Sequence, residues 1–398
     1  MNESLNDKLY NLSRPKRILS LDGGGIRGAL TLGMLKKIET LLRAQTGDNN
    51  LVLGKYYDLI SGTSTGAIIA SGLAVGKTVD EIIQLYLNLG SEIFGKGRKH
   101  KLFPRGWTTM RAIFNENYSS KGLEKYLEDV FGDITIGDQE KLFCGLAINT
   151  KRADTYSLWT VANHPGGKYY DANSILKIWQ LCRASSAAPY YFRPKKLNLR
   201  SRKDPVTGQY KYFDATFIDG GVSLANNPAW VTFLTAIVPT FGFGWAPGEK
   251  NILITTLGTG NGQTKENPDE LEKLKAIGWA SKLSDLFMID ASEMNQATLE
   301  LFGRNAGGKF AIDSQFEDLD KIAGQFTGTT DPPVSPTNKL FTFQRHNVSI
   351  TEQGLTQLGY HFTEAQVKAL TQMDYHENVQ TLLEIGSKYA EQNIQSTL

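Results

Sequence analysis

The segment Ile60-Ser61-Gly62-Thr63-Ser64-Thr65-Gly66 sets one small hydroxyl between two glycines where the hydropathy pattern changes from strand to helix. Residues 56–60 read as a short apolar strand and residues 67–70 as the buried start of a helix, so Ser64 falls on the bend. Glycine on both sides lets the backbone turn tightly and lifts the serine Oγ out of the sheet edge. The helix start behind it favours negative charge developing nearby. A chain built on such a bend belongs to the α/β class, and Ser64 becomes a candidate nucleophile. Alone, the same five residues also fit an ordinary Gly-Ser turn, so the remaining sequence has to decide.

The 398 residues suffice for one large α/β domain or two smaller ones, and the formal charge of +2 gives no reason to expect a nucleic-acid polymer as partner. Cys144 and Cys182 both sit in apolar stretches, which suits buried thiols in a reducing compartment. The first 14 residues are polar, and no run of about 18 apolar residues occurs, so neither a signal peptide nor a membrane span is expected. A cytoplasmic protein follows. No His, Cys, Asp and Glu cluster has ligand spacing, and no metal or other cofactor is expected.

Taken in order, residues 17–22 read as a first strand and residues 30–42 as a helix, with Gly23-Gly24-Gly25-Ile26-Arg27-Gly28 between them. The loop satisfies G-x-G-x-x-G, yet no strand ending in an acidic residue follows at the distance a dinucleotide-binding unit requires. The alternative is a nest of backbone N–H groups that binds an anion, which is the geometry of an oxyanion hole. Helices are expected at residues 79–89 and 120–131, and buried strands at 142–148 and 251–260. Residues 95–101 form a basic glycine-containing loop that could touch anionic lipid head groups. A helix is expected at 175–186, a hairpin or loop at 195–211, and a strand at 212–219 that ends in Asp219-Gly220-Gly221. The aromatic stretch 240–247 is either a packed loop or a membrane wedge, and a further helix spans 283–301. Residues 327–336 read as a loop, 339–344 as a last strand, and 364–372 and 377–392 as two terminal helices.

Three glycine-bearing turns thus occur in order: Asp22-Gly23-Gly24-Gly25-Ile26-Arg27-Gly28, Gly62-Thr63-Ser64-Thr65-Gly66 and Asp219-Gly220-Gly221. With residues 183–189 and 254–260 they give the chain a pattern that resembles the patatin-like phospholipase family, which carries D-G-G-G-x-[RK]-G, G-x-S-x-G and D-G-[GA]. The likeness runs over residues 17–260, about two-thirds of the chain. It implies a three-layer α/β/α fold with a mostly parallel central sheet: a polar leader at 1–16, a catalytic domain at 17–345 and a C-terminal helical cap at 346–398. It also implies that Ser64 is the nucleophile and Asp219 its partner in a Ser-Asp dyad. The N–H groups of Gly23, Gly24 and Gly25, near Arg27, would form the oxyanion hole, and the substrate would be an acyl ester of a membrane phospholipid.

Residues 370–390, with Met373-Asp374, Asn378 and Leu382-Leu383-Glu384-Ile385-Gly386, are similar to the cyclic-nucleotide-activated patatin-like phospholipases of bacterial anti-phage defence, the CBASS effectors. That second likeness implies a cyclic di- or trinucleotide activator and association of subunits on activation. It also implies peripheral action at the inner face of the cell membrane. The alternatives are a lipid acyl hydrolase without nucleotide control, a Ser-His-Asp esterase using His346, His361 or His376, and a protein that binds lipid without hydrolysing it.

Overall fold

The computed structural model describes residues 3–89, 120–189, 191–262, 267–307 and 339–397. The basic loop at 95–101 and the loop at 327–336 lie outside the described residues. Helix α1 (Leu5–Tyr10) leads into strand β1 (Lys16–Leu21), helix α2 (Gly28–Thr46), strand β2 (Leu59–Thr63), and helices α3 (Thr65–Ala74), α4 (Val79–Leu89) and α5 (Ser120–Phe131). Strands β3 (Gly145–Arg152) and β4 (Leu158–Ala162), helix α6 (Ile178–Ser185), strands β5 (Lys195–Arg200) and β6 (Tyr212–Asp219), and helix α7 (Ala229–Ile237) follow. The chain then forms β7 (Ile252–Leu257), helix α8 (Ala276–Phe302), β8 (Gly303–Gly307), β9 (Phe341–His346) and, near its end, helix α9 (Val379–Asn393).

The nine strands make one sheet in the order β5-β6-β3-β2-β1-β7-β9-β8, with β4 paired to β3 off that path. All pairings from β3 through β8 along that order are parallel, whereas β4, β5 and β6 run antiparallel to their partners. The central strands are apolar on both sides because both faces are covered. Leu19, Leu21, Ile60 and Ile148 pack under α2, α3, α6 and α9, while Ile18, Leu59, Ile252 and Ile254 pack under α1, α7 and α8. This is a three-layer α/β/α arrangement with a mostly parallel central sheet.

Several local expectations shift. The strand before Ser64 occupies Leu59–Thr63 rather than 56–60, because Leu53–Tyr56 makes one helical turn and Asp58 is buried against Arg14 at 2.9 Å. Residues 195–200 are a strand: Leu197 and Leu199 point into the core, and Asn198 pairs across the hairpin with Asp214. Phe243 and Trp245 are buried, and the Trp245 indole donates to the Leu9 carbonyl at 3.2 Å, so this stretch is a packed loop and not a membrane wedge. Leu9 and Lys8 of α1 are themselves buried, and Lys8 Nζ donates to the Gly54 carbonyl at 2.7 Å, which ties residues read as a polar leader into the core. Strands β4 and β8 and the short helix Glu352–Gln357 had no expectation at all. Among the described residues no helix is long and apolar enough to cross a membrane.

At the C-terminal end α9 packs along α2 at backbone contact distance. A methyl group on Gly33 would stand 2.5 Å from the Ser387 nitrogen, and one on Gly386 would stand 2.3 Å from the Leu30 carbonyl oxygen. Glycine on both helices is what allows this approach. Leu382 and Ile385 join the same core cluster as Leu30 and Leu35.

Candidate active site

Strand register brings the two acid-base candidates together. Thr63, the last residue of β2, pairs with Asn149 of β3, and the next residue of β3, Thr150, pairs with Asp219 of β6. Ser64 and Asp219 therefore flank the same end of β3, although 155 positions separate them in sequence. Ser64 Oγ donates to Asp219 Oδ2 at 2.7 Å, and Asp219 Oδ1 accepts the Gly221 N–H at 2.7 Å. The carboxylate is held on both oxygens.

Ser64 itself carries the bend, with φ 54° and ψ −121°, in a region that costs a non-glycine residue about 1–3 kcal/mol. Its N–H donates to Ser185 Oγ at 2.8 Å, and that hydroxyl donates onward to the Asn149 carbonyl at 2.5 Å, so the strained residue is fixed by α6 and β3 together. The flanking glycines are there for contact: a methyl on Gly62 would lie 2.1 Å from the Gly66 carbonyl oxygen, and one on Gly66 would lie 2.3 Å from that of Leu21. The elbow is pressed against β1.

Asp219 is 4% exposed, and loss of hydration pushes its carboxyl up to about 6. The Gly221 N–H, the Ser64 hydroxyl and the Arg183 charge pull the other way without cancelling that cost. A carboxylate so poised can take and return a proton near neutral pH.

The glycine loop after β1 runs against the elbow, close enough that a methyl on Gly23 would sit 3.4 Å from the Ser64 Cβ. Gly24 and Gly25 line the cleft beside Ser64 and Asp219. Gly23 does not present its amide there, because its N–H already donates to the Asn226 carbonyl at 2.9 Å. Of the three glycines expected to serve an oxyanion, Gly23 thus has its amide engaged, and Gly24 and Gly25 are the two that border the cleft. Arg27 stands at the N-terminus of α2, with its Nε 3.5 Å from the Gly24 carbonyl.

Groups from several other elements complete the site. Asp22 and Arg345 form a buried two-point ion pair behind the loop, with Arg345 Nη1 at 3.1 Å and Nη2 at 2.5 Å from the two carboxylate oxygens. The Tyr86 hydroxyl bonds both Thr65 Oγ1 and the Gly25 carbonyl, joining α4 to the elbow and to the loop. Met373 lines the cleft, and its carbonyl accepts the Ile26 N–H at 2.9 Å. The cleft itself offers about 710 Å³ of open space, walled mostly by Ile68, Leu123, Ala188, Tyr191, Phe192 and Met288. Among the described residues no histidine lines it, and His164 is buried between Tyr10 and Phe243. Among the described residues no group of three or more His, Cys, Asp or Glu is arranged to hold a metal ion.

The family model for patatin-like phospholipase matches residues 19–233, which span β1, the elbow, Asp219 and α7. The chain belongs to the patatin-like phospholipase family. Among relatives within and near this family, a cGAMP-activated phospholipase of Vibrio cholerae serotype O1 is 31% identical over 221 residues, covering 56% of this chain and 58% of the relative. A second cGAMP-activated phospholipase, from Escherichia coli strain TW11681, is 29% identical over 268 residues, covering 66% of this chain and 67% of the relative. The chain thus spans just over half the length of the Vibrio protein. The solved structure of VipD from Legionella pneumophila covers 93% of this chain at 15% identity, with a TM-score of 0.31 that is too low to carry weight.

Proposed function

We propose that the chain hydrolyses acyl esters of membrane phospholipids through Ser64 and Asp219, and that a cyclic oligonucleotide switches it on. The observation that carries the chemistry is the 2.7 Å contact of Ser64 Oγ with a buried carboxylate, in an apolar cleft that two backbone amides line. Ser64 Oγ attacks the ester carbonyl carbon while Asp219 takes its proton. The carbonyl oxygen becomes an oxyanion at the Gly24 and Gly25 N–H groups, where each donor in comparable hydrolases is worth about 2.7–4 kcal/mol. Collapse breaks the bond to the lipid alcohol, which leaves with the proton from Asp219. Water then attacks the acyl-serine, gives its proton to Asp219, and fatty acid is released as Ser64 recovers that proton. Release of fatty acid from phosphatidylglycerol vesicles tests this: Ser64→Ala should abolish it with the fold intact, and full activity in that variant would refute the reading.

Regulation rests on two supports. The two cGAMP-activated relatives match over 56% and 66% of this chain, and Met373 near the C-terminal end bonds the glycine loop directly. In this reading the enzyme is cytoplasmic, serves bacterial anti-phage defence of the CBASS type, and associates on activation at the inner face of the membrane. Helix α8 supports the membrane contact, because it exposes Trp279, Leu283, Leu286 and Phe287 while Met288 on its other side lines the cleft. Asp290 is exposed on the same helix, so the contact would be driven by apolar burial and not by charge. Adding cGAMP should raise hydrolysis and particle size together. An enzyme fully active without any cyclic nucleotide, and unchanged by a panel of them, leaves the unregulated hydrolase.

A further inference from the structure

Three of the helices that wall the cleft continue past it around a second, smaller apolar pocket. Along α3, Ser64 at the N-terminus, Ile68 and Gly72 stand one helical turn apart on a common face, and Ile68 lines both spaces. On α4, Tyr86 lines both, and Ile82 and Leu85 line the second. On α5, Leu123 lines the cleft, and Tyr126, Leu127, Val130 and Phe131 line the second over the next two turns. Ile68 and Tyr86 thus border both spaces, and the second begins one helical turn beyond the nucleophile, between three helices. Ser64 and Gly72 stand about 12 Å apart along the helix axis, at the usual rise per residue.

Its chemistry is apolar throughout. Ile82, Leu127 and Phe131 are buried. The two tyrosine hydroxyls in its wall are turned to backbone: Tyr126 to the Leu85 carbonyl and Tyr86 to that of Gly25. A slot without polar partners holds no ordered water, so a hydrocarbon chain entering it gains burial and displaces nothing bound. Gly72 and Ile82 meet closely in its wall, where a methyl group on Gly72 would stand 3.0 Å from Ile82 Cδ1.

We propose that this slot between α3, α4 and α5 is the binding site for the fatty acyl chain of the substrate, and that its depth sets the chain length the enzyme prefers. The proposal rests on Ser64 as the residue that accepts the acyl group. With the ester carbonyl at Ser64 and its oxygen at Gly24 and Gly25, the chain runs past Ile68 toward Val130 and Phe131. The head group and second chain stay in the wider cleft on the side of Met288.

The test is a series of p-nitrophenyl esters from butyrate to dodecanoate, kept below their micellar concentrations. For the unaltered chain kcat/KM should rise about fourfold for each methylene that enters the slot and then level off. Val130→Trp, which fills the far end, should bring the break to shorter chains, and Ile82→Ala, which widens the middle, should move it to longer ones. The same break in the unaltered chain and in both variants would overturn the slot. Binding supplies a readout without turnover: decanoate should displace a fluorescent fatty acid from the Ser64→Ala chain at least tenfold less well when Val130→Trp is added. Equal displacement would also overturn the proposal. Decanoate binding that responds to Val130→Trp in a chain that hydrolyses no ester would sink the esterase reading and leave the slot. Hydrolysis with an unmoved break would do the reverse.

Discussion

Replacing Asp219 by asparagine should stabilise the protein while it removes the activity, and the gain should depend on pH. The carboxyl sits at about 6 in the folded chain against an ordinary value of 3.8, so the folded state holds its proton more tightly than the unfolded state does. Stability contributed by this group is therefore fully present below about pH 3.8 and is lost as pH rises through 6. The difference corresponds to about 3 kcal/mol above neutral pH. Asparagine stays uncharged at every pH, and it can still accept the Gly221 N–H through its carbonyl while its amide donates to Ser64 Oγ. At the usual unfolding entropy per residue, about 3 kcal/mol in a chain of this size shifts Tm by roughly 4 °C. Thermal melts of both proteins between pH 4 and pH 8 should show a Tm difference near zero at the acid end and roughly 4 °C at the other. A difference that stays constant across the range would mean that Asp219 titrates alike in both states, and the desolvation argument would fall with it.

Hydrolysis of a short-chain ester should rise through an apparent pKa near 6, since the base must be ionised to take the serine proton; a limb near 4 would show an unperturbed carboxylate. Gly386→Val should cost about 1–3 kcal/mol by forcing α9 away from the Leu30 carbonyl, measured by urea denaturation, and an unchanged midpoint would mean the helices can slide apart freely. Phe287→Asp should lower vesicle hydrolysis about tenfold relative to hydrolysis of a dispersed short-chain ester, because apolar area that would enter the lipid is lost; an equal ratio would remove α8 from the membrane contact. The Ile26 amide, bonded to the Met373 carbonyl, should exchange its hydrogen faster once cGAMP is added, and unchanged protection would mean that the switch does not lift this segment.

How far the sequence could be read depended on the range over which each residue finds its partners. Ser64 follows the end of β2 between two nearby glycines and Asp219 ends β6 before a glycine, so their positions could be read locally, and the pairing of β3 with both β2 and β6 then brings them to one edge. Gly23 looked equivalent to Gly24 and Gly25 because nothing local distinguishes three consecutive glycines. Its amide is taken by Asn226, a residue that only the fold brings near. Tyr86, Met373 and Arg345 reach the site from distant elements: Tyr86 lies in a stretch that read as plain helix, Met373 between the two terminal helices, and Arg345 just past the expected strand 339–344. The aromatic stretch containing Phe243 and Trp245 was ambiguous because an aromatic loop has the same composition whether it is packed or exposed. The Leu9 carbonyl that receives the Trp245 indole decides for packing. Residues 195–211 left a hairpin and a loop both open; the structure has the hairpin, and Leu197 and Leu199 alternate with polar residues along its first strand.

The proposed switch needs a route by which a ligand away from the nucleophile can alter the oxyanion amides, and the glycine loop supplies one. Gly25 and Ile26 are adjacent, so a shift of the Met373 carbonyl that frees the Ile26 N–H changes the backbone that carries the Gly25 N–H. Helix α2 begins where that loop ends, and α9 lies against α2 at Gly33 and Gly386 with no side chain between the backbones. Displacement of α9 is then passed to the start of α2 as a rigid movement, because a contact this close cannot absorb it in rotamers. A hundredfold stimulation corresponds to about 2.7 kcal/mol of coupling. One backbone hydrogen bond at about 1 kcal/mol net, together with partial exposure of a methionine side chain, is of that size. A ligand that binds the lifted arrangement more tightly by that amount would suffice, and one that binds both arrangements equally would leave the rate unchanged.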